Sequence, residues 1–143
     1  MSIQQLTVFV ENKPGALVSI TDTLASHAIN IRALSIAETE DFGILRLIVN
    51  DNAAACKTLE EAGYLFKMTD MVGVKIGDAP GKLSKALSVL GEAGINLEYL
   101  YAFMTRTEKH AYVVMRVQDN PKAEAALEGA GFHLITEADV KKL

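Results

Sequence analysis

The segment that decides the fold reads Glu11-Asn12-Lys13-Pro14-Gly15-Ala16-Leu17 and leads to Ile29-Asn30-Ile31. A second copy reads Gly77-Asp78-Ala79-Pro80-Gly81-Lys82-Leu83 and leads to Ile95-Asn96-Leu97. Shifting the chain by 66 positions places Pro14 on Pro80 and Asn30 on Asn96 without a gap. The 143 residues therefore contain an internal repeat, which predicts two domains, 1–69 and 70–143.

Each Pro-Gly turn stands between a strand pattern and a helix pattern. Proline presets the backbone torsion of a first helical position, and glycine leaves the amides of the helix start open to approach. Those amides, with the helix dipole, favour a negative charge. The sequence therefore predicts helices that begin at Pro14 and Pro80, each with room for a small anionic group at its start.

The spacing of apolar residues predicts the other elements. The first unit should contain a strand at 6–10, the helix from Pro14, strands at 30–37 and 43–49, a helix capped by Asp51 or Asn52, and a strand at 64–68. The second unit repeats this order, and the best offset becomes 68 after a longer hairpin turn at 105–108. Asn120-Pro121 should start its second helix, with Asn120 as the cap and Pro121 in the first turn, and 137–143 should form a short terminal helix.

A β-α-β-β-α-β unit with right-handed crossovers folds as an antiparallel sheet with both helices on one face, the ferredoxin-like arrangement. The predicted class is α+β, with two such units. No Gly/Ser/Pro-rich linker separates them, so we expect the units to pack side by side. Because this layout serves unrelated functions, the function must be inferred from the turns.

Composition narrows the functional classes. Half of the residues are apolar, which argues against disorder, and the net charge of −4 provides no broad cationic field for nucleic acid. Cys56 is the only cysteine, so neither an intrachain disulfide nor a cysteine-based zinc site is expected. With no signal-peptide pattern and no apolar run long enough to cross a bilayer, we expect a soluble cytoplasmic protein without membrane contact.

Both halves resemble ACT domains, the small-molecule-sensing modules of amino-acid metabolism. The resemblance rests on the two Pro-Gly-x-Leu turns and on Ile29-Asn30-Ile31 and Ile95-Asn96-Leu97, and it covers residues 3 to 136. It implies a free amino acid bound where the turn of one unit meets a paired unit, and paired units that extend their sheets through the second strand. The implied ligand-binding residues are Asn12, Lys13, Pro14, Gly15, Ala16, Leu17, Asn30, Ile31, Asp78, Ala79, Pro80, Gly81, Lys82, Leu83, Asn96 and Leu97.

The first unit departs from the commoner family pattern, because Asn12 stands where the second unit has Asp78. Either side chain can accept a hydrogen bond from a ligand ammonium, while helix amides hold its carboxylate. A structural alternative stays open at each position. Asn12 and Asp78 would then cap their helices, and Asn30 and Asn96 would tie down the chain where it enters a strand.

Other residues that often carry chemistry form no recognisable site. His27, His110 and His133 lack metal-ligand spacing, and Cys56 lacks a local partner, so we interpret the histidines as exposed or half-buried and the cysteine as core filler. No phosphate-binding or dinucleotide motif is present, and we expect neither a cofactor nor catalysis. Tyr99, Tyr101 and Phe103 place three aromatic rings on one strand, for packing or, alternatively, for a ligand site.

The main hypothesis is a regulatory protein made only of sensor domains, with an amino acid as ligand and a biosynthetic enzyme or transcriptional complex as target. An interaction scaffold and an RNA-binding module are the alternatives on the same fold. RNA recognition would need stacking aromatics on central strands and a basic periphery. An acylphosphatase-like enzyme would need an arginine in the first turn, where none is present. Apolar helix faces left over suggest a homodimer.

Overall fold

The computed structural model describes residues 2–105 and 109–143. The chain divides into two compact units, Gln4–Thr69 and Asp70–Leu143, and the second unit also includes residues 2–3. The division falls inside one strand, because the segment Phe66–Gly77 is a continuous strand that contains Thr69 and Asp70.

The first unit has the predicted order of elements. These are β1 (Ile3–Glu11), α1 (Ala16–Ser26), β2 (Ile31–Glu38), β3 (Phe42–Val49), α2 (Asn52–Glu61) and the beginning of β4 (Phe66–Gly77). Strand β3 lies between β1 and β2 and is antiparallel to both. On the other side of β1, the Phe9 amide donates to the Leu65 carbonyl over 3.0 Å. The apolar faces of both helices share one core with the sheet, to which Leu6, Val8, Ile20, Leu24, Leu47 and Leu59 belong.

The second unit repeats this architecture. It contains the rest of β4, then α3 (Lys82–Glu92), β5 (Leu97–Ala102), β6 (His110–Val117), α4 (Asn120–Gly129), β7 (His133–Ile135) and α5 (Glu137–Lys142). Strand β6 pairs antiparallel with β4 and β5, and β7 pairs antiparallel with β4. Its core contains Val72, Val74, Leu90, Met115 and Leu127. The predicted hairpin turn at 105–108 lies largely outside the described residues. The α+β prediction of two ferredoxin-like units is confirmed.

The starts of α1 and α3 differ from the prediction. Both helices begin two residues after the proline, at Ala16 and Lys82, and their N-cap residues are Gly15 and Gly81. These glycines have φ of 86° and 88°, in the left-handed region that glycine adopts without a steric penalty. Proline therefore shapes the turn before the helix, and glycine redirects the chain into it.

The starts of α2 and α4 use aspartate caps. The Asp51 side chain accepts from the Ala54 amide over 3.0 Å, in the position predicted for it. In α4 the cap is Asp119, which accepts from the Lys122 amide over 3.1 Å, and not the predicted Asn120. Asn120 is the first helical residue, and its side chain instead donates to the Asp70 carbonyl over 3.1 Å.

Candidate functional site

The helix starts at the two Pro-Gly turns have no side-chain cap. The N-cap residues Gly15 and Gly81 have no side chain that could accept from the first-turn amides. The first amides, those of Ala16 and Lys82, donate to the Lys13 and Ala79 carbonyls over 3.3 and 3.2 Å, whereas the next two amides of each helix have no partner within it. The Asn12 side chain donates to the Thr39 carbonyl instead of capping α1, whereas the capping alternative for Asp78 stays a prediction.

A cavity of about 600 Å³ lies in front of the start of α1, within the first unit. It is called here the first groove. Four separate segments of the chain form it: the end of β1, the turn into α1, the start of β3 and the residues after α2. Its lining consists of Phe9, Val10, Glu11, Lys13, Pro14, Gly15, Ala16, Ser19, Phe42, Gly63, Tyr64 and Leu65.

One wall of the first groove is apolar and accessible. Phe9, Phe42 and Leu65 are 37%, 55% and 70% exposed, which is unusual for side chains of this size. In the same lining the Tyr64 and Ser19 hydroxyl oxygens lie 3.0 Å apart and share a hydrogen bond. This lining can cover an apolar group of a ligand and also offer hydroxyl groups to it.

The first groove also carries one charge of each sign. Lys13 Nζ lies 2.9 Å from Glu11 Oε2, and both side chains are more than half exposed. An ion pair this exposed contributes about 0–1 kcal/mol, because water screens it and both side chains lose freedom. A ligand with its own carboxylate and ammonium can therefore exchange partners with this pair at little cost.

The second unit has a cavity of about 400 Å³ at the corresponding place, called here the second groove. It lies at the start of α3 and at the end of α4. Its lining consists of Lys75, Gly77, Lys82, Lys85, His110, Ala130, Gly131, Phe132 and His133. Each of these residues corresponds to a residue of the first unit through the offset of 66 or 68. The two grooves therefore occupy equivalent positions in the repeat.

The structure brings some predicted residues of the first unit to the groove and leaves others outside its lining. Lys13, Pro14, Gly15 and Ala16 line the first groove, whereas Asn12, Leu17, Asn30 and Ile31 do not. The Asn12 side chain donates to the Thr39 carbonyl over 3.2 Å and thereby ties the turn to the neighbouring hairpin. The Asn30 amide donates to Asn50 Oδ1 over 2.8 Å where β2 begins.

In the second unit only one predicted residue, Lys82, lines the groove. The others do not line it: Asp78, Ala79, Pro80, Gly81, Leu83, Asn96 and Leu97. The Asp78 amide donates to the Lys109 carbonyl over 2.9 Å, which fixes the end of the strand that leads into the turn.

Several lining residues come from segments that the turn motif did not identify. Phe9, Phe42, Tyr64 and Leu65 in the first groove, and Lys75, Lys85, His110 and His133 in the second, lie outside the motif. The repeat itself carried a usable signal, since these residues align at offsets of 66 and 68. That alignment shows which positions differ in chemistry, but it does not show that they share a cavity.

His27 and Cys56, the other residues with reactive side chains, make contacts within the fold. The His27 ring is 2.9 Å from the Thr23 carbonyl through Nδ1, at the end of α1. Cys56 Sγ donates to Met68 Sδ over 3.6 Å; burial raises the pKa of this thiol, and the Glu60 carboxylate raises it further. Within the residues 2–105 and 109–143, no group of three side chains could hold a metal ion and no helix could span a bilayer.

Comparisons with known proteins agree with this architecture. A family model described as an ACT domain pair matches residues 1–143. A solved structure from Bacteroides thetaiotaomicron has 38% sequence identity and a TM-score of 0.93, over 100% of this chain and 98% of its own. The regulatory subunits of aspartate kinase from Thermus thermophilus, in its ligand-free form, and Thermus flavus have TM-scores of 0.67 and 0.61 at 18% and 17% identity. These two alignments cover 90% of this chain and 90% and 92% of the subunits, and they show a shared fold. No curated protein matches the sequence.

Proposed function

The chain belongs to the ACT domain pair family, and from this premise we propose that it is a non-catalytic regulatory protein whose first groove binds a free amino acid. The observation that carries the proposal is the composition of that groove. An uncapped helix start, one exposed ion pair and an apolar wall lie together around one cavity. A free amino acid has a carboxylate, an ammonium group and a side chain, and each has a partner there.

The ligand carboxylate faces the start of α1 in this proposal. The first-turn amides that have no partner within α1 donate to it, and the helix dipole adds a favourable interaction of about 0.3–1 kcal/mol at an exposed site. Lys13, which lines the same groove, supplies a full positive charge. The ligand ammonium pairs with the Glu11 carboxylate, which its bond to Lys13 already places at the groove.

The apolar wall selects the ligand side chain. Phe9, Phe42 and Leu65 leave apolar surface in contact with water, and covering apolar surface gains about 25 cal/mol per Å². We therefore expect amino acids with large apolar side chains to bind more tightly than small or charged ones. Asn12 does not line the groove, and its role in the proposal is to position the turn through Thr39. Asn30 has no ligand contact in the proposal, since its backbone amide donates to Asn50 Oδ1 beyond the C-terminal end of α1.

Signalling follows from differential affinity. An amino acid that binds one arrangement of domains or subunits more tightly shifts the population toward that arrangement, by no more than its difference in affinity. We propose a cytoplasmic homodimer in which a biosynthetic enzyme or a transcriptional complex responds to that arrangement. Sedimentation equilibrium tests the assembly, and a mass of 15.5 kDa for the protein would contradict it.

The test of binding is thermal unfolding of the full chain with each of the twenty amino acids at millimolar concentration. A ligand that binds only the folded state at about 100 times its Kd stabilises by about 2.7 kcal/mol. We expect one or a few amino acids with large apolar side chains to raise Tm. An absence of any shift would contradict amino-acid binding and favour the interaction scaffold.

Matched variants then locate the ligand. Glu11→Gln should weaken binding, whereas Glu40→Gln, which removes the same charge outside the groove, should not. Leu65→Ala should also weaken binding, compared with Met104→Ala, because these side chains are 70% and 65% exposed and only Leu65 lines the groove. Equal effects of both members of each pair would show that the ligand binds elsewhere.

A further inference from the structure

The two grooves occupy equivalent positions but have opposite chemistry. At five equivalent positions, the second groove has a lysine or histidine where the first has an apolar residue or a serine. Lys75 takes the place of Phe9, Lys82 of Ala16, Lys85 of Ser19, His110 of Phe42 and His133 of Leu65. The repeat has therefore kept the cavity and changed its lining from apolar to basic.

The acidic residue of the first groove is also missing from the second. Gly77 stands at the position of Glu11, so the second groove has no carboxylate in its lining. A Cβ built on Gly77 would lie 3.0 Å from Lys82 Cγ and 3.1 Å from its Cδ. The absence of a side chain at Gly77 thus removes a negative charge and lets the Lys82 stem lie across the end of β4.

The charge of the lining changes accordingly. The first groove has Glu11 and Lys13, which cancel, whereas the second has Lys75, Lys82 and Lys85. Within the part of the chain that the structure describes, the three lysine ammonium groups form no ion pair and no hydrogen bond. The uncapped start of α3 adds a partial positive charge at the same place.

Asp78 follows Gly77 in the chain without belonging to the lining of the second groove, and other acidic side chains lie in neighbouring cavities. Asp139 and Glu128 line two smaller cavities that share Lys75 or His133 with the second groove. The Asp139 carboxylate already accepts from the Thr136 amide over 2.9 Å and from its hydroxyl over 3.0 Å. These acids leave the lining of the second groove itself without a counter-charge.

We infer that the second groove binds a small metabolite through a phosphate or diphosphate group. Three ammonium groups that converge on one cavity repel one another, and an anion with several charged oxygens relieves that repulsion. The His133 imidazole adds an N–H donor, His110 also lines the cavity, and Phe132 adds an aromatic surface. The cavity of about 400 Å³ is within the range of small-molecule sites.

A small molecule fits the charge distribution better than a nucleic acid does. The whole chain has a net charge of −4, so the basic residues form a local cluster and not the extended cationic surface that holds a phosphate backbone. The inference concerns a ligand different from the amino acid proposed for the first groove. The two grooves would then report on two different metabolites in one chain.

The test is calorimetric titration of the full chain with sodium diphosphate, without any amino acid, in buffer of fixed ionic strength. Lys82→Ala combined with Lys85→Ser installs the residues that the first unit has at these positions. Both lysines are exposed on α3, so the fold should be kept. The double variant should bind diphosphate about tenfold or more weakly than the unsubstituted chain, because it loses charge-assisted contacts. Lys122→Ser, an exposed lysine of the same unit outside the groove, serves as the control and should bind like the unsubstituted chain.

Three outcomes would overturn the inference. The first is no detectable heat or Tm shift at about 10 mM diphosphate, since a ligand that binds the folded state must stabilise it by mass action. The second is equal binding by the double variant and the Lys122→Ser control. The third is tighter binding of a single-stranded oligonucleotide, with affinity that rises with its length. Because the titration contains no amino acid and the variants change only the second unit, these results leave the amino-acid test of the first groove unaffected.

Discussion

Replacing Gly81 with alanine tests the turn that shapes the start of α3. The residue has φ of 88°, and a Cβ added there would meet nothing within 4 Å, so no steric clash contributes. An alanine in the left-handed region costs about 1–2 kcal/mol, and the stiffer unfolded chain returns about 0.4–1 kcal/mol of this. We therefore expect Gly81→Ala to lower the free energy of unfolding of its unit by about 1 kcal/mol.

Gly91 provides a matched control on the same helix. It lies within α3, its φ is not positive, and an added Cβ would again meet nothing within 4 Å. Alanine is favoured over glycine in a helix interior by about 0.5–1 kcal/mol. Gly91→Ala should therefore stabilise the unit that Gly81→Ala destabilises.

The measurement is urea unfolding followed by far-ultraviolet circular dichroism for the two variants and the unsubstituted chain. Opposite changes in the midpoint at an unchanged slope would support the reasoning. If Gly81→Ala were as stable as the unsubstituted chain, the left-handed conformation at the turn would be refuted. The same result would contradict the interpretation that the glycine, and not a side-chain cap, forms the start of α3.

Four further predictions concern single side chains. Asp51→Ala removes the cap of α2 and should cost about 1 kcal/mol in urea unfolding. Leu24→Ala opens a cavity at a fully buried site and should cost about 2–5 kcal/mol in the same assay, so a cost below 1 kcal/mol would contradict the core. Hydrogen bonds from the backbone and hydroxyl of Thr136 lower the pKa of Asp139, so their stabilisation is present above the unfolded-state pKa and is lost as pH falls through the folded-state pKa. The stability difference between the unsubstituted chain and Asp139→Asn should accordingly shrink in urea unfolding as pH is lowered through this range. Burial raises the pKa of Cys56, so iodoacetamide should alkylate it more slowly at pH 8 than an exposed peptide thiol; an equal rate would be evidence against the burial.

Local sequence patterns were sufficient to predict the helices and strands of the fold. The alternation from Leu6 to Val10 predicted β1, and helical spacing from Leu17 to Leu24 predicted α1, because these periods report which face of an element is buried. The predicted starts of the helices were less accurate. Proline is compatible with both a first helical position and the turn before it, and only the backbone at Gly15 shows that the turn is used.

The sequence by itself determined the repeat, the order of the elements and the place of both turns. Those features depend on residues that are close in the chain or that recur at a fixed offset, such as Pro14 and Pro80. Only the tertiary structure decided what faces each turn. Phe9, Phe42 and Leu65 meet at the first groove because strand pairing and the return from α2 bring distant segments together. The same folding places Lys75 and His133 at the second groove, so two turns of similar sequence open onto cavities of opposite chemistry.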